Sequence, residues 1–319
     1  MAKGDSWTDI FPATCLPLND DHSINEGELR SYVRWLAEFD EIRGLVCNGH
    51  TGEITSLRPD ERRRVTEIIA SEVGDKKLVV SGVSAEGTLE AIDQAQAAQE
   101  AGADGILLMP PHMWLRFGMK PETPLEFFRR VAESINIGII IHLYPASTKA
   151  FYPAETILEM AKIPNVKALK TGTRDMALYE RDCRMFRAEA PELSLLTCHD
   201  ETLLSSMYVG VDGALIGFAG CIPELICEAW KALKNNDFAR TRELQNAIFP
   251  MAAAIYGIGQ PSGEAHARMN EALYQRGIFS SPLMREPVLP LDDDEKAEVR
   301  AALAAAGVER VQLTEPQLA

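Results

Sequence analysis

Positive charge is scarce in this 319-residue chain. Thirty-two lysines and arginines stand against 47 aspartates and glutamates, a formal net charge of −15. No basic cluster forms, so a nucleic-acid partner is not expected, and an anionic membrane surface is disfavoured for the same reason. No uninterrupted apolar run approaches the roughly 18 residues that cross a bilayer. The opening Met-Ala-Lys-Gly-Asp-Ser-Trp lacks the apolar stretch of a secretory signal, which sets a cytoplasmic expectation. Cys15, Cys47, Cys183, Cys198, Cys221 and Cys227 include no C-x-x-C and read as isolated thiols of a reducing compartment. The Gly-rich dinucleotide fingerprint is also missing after the first candidate strand. What the chain does hold is 46% hydrophobic and 25% charged residues, enough apolar material for a sizeable core.

Short apolar runs alternate with longer helical patterns. The runs cover residues 10–16, 44–47, 78–83, 105–109, 138–143, 166–169, 193–196 and 213–216. They are nearly continuous in apolar character, as strands buried on both faces are. The stretches between them carry helix signals: Pro59 followed by Asp60 and Glu61, Thr88 leading to a stop at Gly102, and Pro153 before Glu155. Eight strand–helix units predict an α/β fold, the (β/α)8 TIM barrel. Beyond residue 222 the pattern is wholly helical, with helices expected over 223–235, 237–256, 263–276 and 292–306. The division expected is a barrel over 1–235 and a C-terminal helical extension over 236–319. Its tail, 309–319, shows little to bury.

A barrel places its chemistry at the C-terminal ends of the strands. After the second strand, Gly49-His50-Thr51-Gly52 makes a tight loop whose backbone N–H groups can converge on a carboxylate, or a plain strand-to-helix turn. On the sixth strand, Val166, Ala168 and Lys170 share one face. If that face is interior, burial lowers the lysine pKa and frees a nucleophilic amine; a lysine snorkelling from a strand end has the same pattern. His142 and Tyr144 share a face of the fifth strand, as proton carriers or as a hydrogen-bonded core pair. After the seventh strand stands Asp200-Glu201, acids of the kind that also cap a following helix.

A set of spaced motifs joins these features. Gly49-x-Thr51-Gly52-Glu53 is followed by Leu57-x-x-x-Glu61-Arg62, Gly102-Ala103-Asp104-Gly105, Pro110-Pro111, Pro153-x-Glu155-Thr156, Asn165-Val166-x-x-x-Lys170 and Gly210-x-x-Gly213. The set resembles the dihydrodipicolinate synthase / N-acetylneuraminate lyase family, class I aldolases on a (β/α)8 barrel with a C-terminal helical extension. The resemblance implies a lyase that forms a Schiff base between Lys170 and pyruvate or a related 2-keto acid, with no further cofactor and no metal. It implies that Gly49, His50 and Thr51 hold the keto-acid carboxylate. A fifth-strand group, His142 or Tyr144, would relay protons. Asp200 and Glu201 would meet substrate hydroxyls, Thr173 matches a substrate-binding hydroxyl position near the lysine, and the backbone at Leu215, Ile216 and Gly217 would face the substrate.

The chain departs from the family pattern at four places. His50 stands where the loop has a hydroxyl residue. His142 takes the ungapped place of the fifth-strand tyrosine, with Tyr144 two residues on. Ser147 stands where the synthases have an arginine, and His112 and Met113 replace a tyrosine pair. The sequence therefore reads as a divergent member rather than a typical lysine-pathway synthase. Two other readings stay open. One is a keto-acid-binding homologue without turnover. The other is a metal-dependent barrel enzyme using the mouth histidines His50, His112, His142 and His199. The family resemblance implies a homo-oligomer, dimer or tetramer. The apolar stretch Trp114, Leu115, Phe117 and Met119 marks a candidate interface or lid.

Overall fold

The computed structural model describes residues 6–257 and 263–313. Eight strands form one parallel sheet: β1 Asp9–Pro12, β2 Gly44–Cys47, β3 Leu78–Val83, β4 Gly105–Leu108, β5 Gly138–Leu143, β6 Val166–Thr171, β7 Ser194–Thr197 and β8 Gly213–Ile216. Their order is β1-β8-β7-β6-β5-β4-β3-β2, so the two ends of the list are adjacent in sequence. Isolated parallel bridges, Ile10 with Ile42 and Ala13 with Val46, bring β1 against β2 and nearly close the barrel. This is the (β/α)8 TIM barrel that the alternation predicts.

One interior side chain per strand fills the centre: Phe11, Val46, Val80, Leu107, Ile140, Ala168, Leu196 and Leu215 belong to a single inner cluster. Trp7 plugs the bottom. Its ring lies where a Cβ on Gly105 or Gly138 would come within 2.4 Å, so both strand starts require glycine. The outward faces pack on the surrounding helices in the second, larger core.

Strand alternation then decides what reaches the mouth. Two residues above Ile140, Ala168 and Leu196 come His142, Lys170 and Cys198. The sixth strand runs further than the sequence suggests, through Thr171, and takes Lys170 into the ladder opposite His142 on one side and Leu196 on the other. The first strand is shorter than expected. Beyond Pro12 the chain makes only single backbone bonds, Ala13 N–H to Ile216 O at 2.9 Å and Thr14 N–H to Val46 O at 2.9 Å. Pro17 then has no N–H to extend a ladder.

The C-terminal helices are Pro223–Lys234, Phe238–Tyr256, Gly263–Gln275 and Asp293–Ala306. They pack on one another, and the third returns residues to the barrel mouth. The tail is better tied than expected: Val311 donates its N–H to Arg276 O at 2.7 Å, and Val311 and Leu313 pack partly on the core. Residues 314–319 of that expectation lie outside the described residues.

Candidate active site

A cavity of about 480 Å³ opens at the C-terminal ends of the strands. Its floor is strand residues such as Val46, Leu107 and Leu215. Lys170 projects into it from β6. Protein surrounds the amine, and only the cavity leaves part of it open. Burial pushes its pKa below the ordinary lysine value; Cys198 and Asp200 nearby oppose the shift, and Arg174 adds to it.

The loop after β2 is shaped by two residues with left-handed backbone, Asn48 at φ 51° and Glu53 at φ 58°. The Asn48 amide nitrogen lies 2.9 Å from Arg62 O, 3.0 Å from Thr66 Oγ1 and 2.9 Å from Ser81 Oγ, which fastens the loop to its helix and to β3. A Cβ on Gly82 would come within 1.8 Å of Asn48 O, so the loop can lie this close only over glycine. Gly49, His50 and Thr51 thereby reach the cavity. Glu53 also lines it. Its Oε2 accepts the Arg285 N–H at 2.9 Å, and burial raises the carboxyl to about 7 against that contact.

Four rings cluster beside the lysine. The Tyr144 hydroxyl lies 3.1 Å from His50 Nε2 and 3.5 Å from His112 Nε2. His142 meets Tyr144 edge-on at 5.0 Å and His50 at 5.6 Å between ring centroids. Burial first, and Lys170 second, push His50 down to about 3 and hold His142 well below the usual imidazole range, so both rings are neutral. Burial also keeps the Tyr144 phenol protonated. The second His112 nitrogen, Nδ1, stands 3.6 Å from the half-exposed Glu86 carboxylate. A chain of exchangeable groups thus leads from the cavity to the surface.

Of the other residues singled out from the sequence, Asp200, Leu215, Ile216 and Gly217 line the cavity, whereas Thr173 and Glu201 do not. Asp200 is engaged at both oxygens: Oδ1 accepts the Phe218 N–H at 2.6 Å, and Oδ2 accepts the Tyr256 hydroxyl at 3.0 Å. Burial raises its carboxyl to about 6. Glu201 pairs with Arg174 at 2.7 Å. The Thr173 hydroxyl is buried with no partner among the described residues. Of the four mouth histidines, three come together. His199 is fully buried instead, with its ring 5.0 Å from that of Tyr179, and it does not line the cavity. Among the described residues, no group of three or more His, Cys, Asp or Glu side chains is arranged to hold a metal ion.

Sequence reasoning missed Arg174, Tyr256 and His266, all of which line the cavity. The one signal for Arg174 is its place four residues after Lys170. Tyr256 and His266 come from the C-terminal helices, 56 and 66 residues beyond Asp200, and nothing local marks them.

Comparison with known proteins agrees with this geometry. The Dihydrodipicolinate synthetase family matches residues 6–306. A 4-hydroxy-tetrahydrodipicolinate synthase of Neisseria meningitidis serogroup B is 31% identical over 297 residues, 92% of this chain and 97% of that protein. An uncharacterized DapA-like lyase of Halobacterium salinarum is 27% identical over 299 residues, 94% of each chain. Among solved structures, a prophage protein of the dihydrodipicolinic acid synthase family from E. coli K12, in complex with pyruvate, aligns with TM-score 0.86 at 22% identity, covering 94% of this chain and 99% of that one. The nearly closed barrel, the spaced motifs and a family match spanning the barrel and most of the C-terminal helices agree: the chain belongs to the dihydrodipicolinate synthetase family.

Proposed function

We propose that the protein is a lyase, aldolase or dehydratase in type, that forms a Schiff base between Lys170 and pyruvate or a related 2-keto acid. The observation that carries this reading is the Lys170 amine, enclosed at the inner end of the cavity with its pKa depressed by burial. A neutral amine attacks the C2 carbonyl carbon, and the carbonyl oxygen takes a proton. The nitrogen gives up a proton to form the carbinolamine, whose hydroxyl takes a further proton from a neighbouring acid and departs as water, leaving an iminium. The iminium accepts electrons when C3 loses a proton, or when a bond from C3 to a neighbouring carbon breaks. The same enamine can expel a leaving hydroxyl.

The surrounding groups suit these steps. Tyr144 carries a proton on its hydroxyl and touches His50; His142 offers a neutral imidazole beside it. Either can pass protons between the keto acid and Lys170. Gly49, His50 and Thr51 hold the carboxylate, and the backbone at Leu215, Ile216 and Gly217 walls the cavity next to that loop. Asp200 and Glu201 support the site by fixing Tyr256, the Phe218 backbone and Arg174, and the Thr173 hydroxyl, unpartnered among the described residues, stands ready beside the lysine strand. The region 1–235 carries the chemistry, and 236–319 supplies His266, Met284 and Val288 to the rim. Six free cysteines suit a reducing cytoplasm. A homo-oligomer, dimer or tetramer, is supported by the exposed Met113, Leu115 and Phe117 beside the mouth.

Borohydride trapping with pyruvate, read by intact and peptide mass, tests the proposal. The expected result is one reduced adduct on Lys170 that Lys170→Ala abolishes. No adduct with pyruvate or longer 2-keto acids would overturn it. An adduct without turnover of any partner would leave a keto-acid-binding protein.

A further inference from the structure

The keto acid fills only part of the cavity, so the remaining walls choose its partner. We propose that this partner, the carbonyl compound joined to or released from the keto acid, is an apolar aldehyde, aromatic or branched aliphatic, rather than a hydroxylated or carboxylated one. The inference rests on the Schiff-base reading above.

The argument starts from charge. Among the described residues, the carboxylates and cationic side chains that line the cavity are Glu53, Lys170, Arg174 and Asp200. Lys170 is the nucleophile. Arg174 is already paired: Nε donates to Glu201 Oε1 at 2.7 Å, and one terminal nitrogen donates to Gly172 O at 3.0 Å and to Cys198 Sγ at 3.2 Å. The other terminal nitrogen faces Glu201 Oε2 at 3.5 Å. Four of its five N–H donors and its charge are thus engaged by the protein, so among the described residues lining the cavity a second carboxylate finds no unpaired lysine or arginine beyond Lys170. Asp200 has both oxygens taken by Phe218 and Tyr256. Glu53 gives one oxygen to Arg285, and the other is buried beyond reach of a ligand. Among the described residues, no carboxylate oxygen lining the cavity is both open and without a protein partner.

Among the described residues, what remains at the rim is mostly apolar or flat. Leu115 comes from the short helix Met113–Phe117, and Met284 and Val288 come from the segment after helix Gly263–Gln275. The rings of His50, Tyr256 and His266 line the same cavity. Burial pushes His50 to about 3 and His266 to about 4, and it keeps Tyr256 protonated, so all three rings are uncharged at neutral pH. The hydroxyls of Thr55 and Ser56 at the outer edge and the imidazoles of His112 and His266 are few against the several hydration sites of a polyol. A charged or polyhydroxylated partner would give up more water than these groups replace, whereas an apolar one gains by leaving it.

The test runs in the synthetic direction on the intact enzyme. Pyruvate is offered with benzaldehyde, 3-methylbutanal, glyceraldehyde or succinic semialdehyde, and condensation products are measured by mass. The two apolar aldehydes should show kcat/KM at least about tenfold above the two polar ones, the scale on which an apolar pocket discriminates. Met284→Asp, and separately Val288→Asp, should lower that ratio about tenfold. A ratio of one or below, or pyruvate adduct formation with condensation of none of the four, overturns the inference. Absence of the borohydride adduct instead defeats the Schiff-base reading. Direct binding to Lys170→Ala, which lacks the covalent step, then judges the wall alone. A phenyl-substituted unsaturated 2-keto acid should bind at least about tenfold tighter than a polyhydroxylated six-carbon 2-keto acid, and equal affinities overturn the proposal.

Discussion

At the scale of single residues the site is a balance of burial against hydrogen bonding. Tyr144→Phe removes one hydroxyl that touches two imidazoles. Turnover should fall by about 10²- to 10⁴-fold, the usual worth of a positioned proton carrier. Stability should fall by only about 0.5–1.5 kcal/mol, and a urea midpoint separates the two effects. Glu53 makes a pH prediction with a definite sign. Burial raises its carboxyl from 4.5 to about 7, so the folded chain holds a proton that the unfolded chain has lost. That contribution to stability is whole below pH 4.5 and is lost as the pH rises to about 7. Between pH 5 and 8 the melting temperature of Glu53→Gln should therefore decline less than that of the parent; parallel declines would contradict the assignment. Lys170, His142 and Tyr144 were legible in the sequence because a strand has a period of two, so one interior residue places the next. Arg174, Tyr256 and His266 were not, since no local period connects them to β6.

At the scale of elements, the strands follow from the apolar runs, and five of them, β2, β3, β5, β8 and, but for its last residue, β4, keep the boundaries the runs suggest. The differences have local causes. β1 ends early because its partner β2 reaches it only through isolated bridges. β6 extends because Lys170, polar in sequence, is flanked by paired neighbours on both sides. Two contacts fix the loop and the strap that frame the cavity. Gly82→Ala would drive a Cβ into Asn48 O, 1.8 Å away, and shift the loop carrying Gly49, His50 and Thr51. A loss of about 2–4 kcal/mol is expected, with weaker retention of pyruvate in equilibrium binding. Arg285 clamps its segment to Glu61 through two bonds of 2.7 Å and to the His22 and Ser56 carbonyls. Both side chains are largely covered, at 17% and 12% exposure, so solvent screens the pair only in part. Arg285→Ala should lower stability by about 1–3 kcal/mol in denaturant unfolding and free Met284 and Val288 at the rim.

At the scale of the whole molecule, Trp114 and its neighbours divide between two tasks. Trp114 turns inward against Phe127 and Tyr152, while Met113 and Phe117 stay 48% and 69% exposed. Light scattering is expected to report a dimer or tetramer, and Phe117→Glu to shift it toward smaller species; a monomeric parent would contradict this. The sequence by itself determined the barrel and the place of Lys170 at the C-terminal mouth, because strand and helix periods are local and leave a record in neighbouring residues. The tertiary structure alone decided that His199 turns away to Tyr179, that Asp200 and Glu201 are taken by Tyr256 and Arg174, and that the C-terminal helices supply the rim. Those outcomes depend on contacts between residues far apart in the chain, and such contacts form only once the barrel brings its ends together.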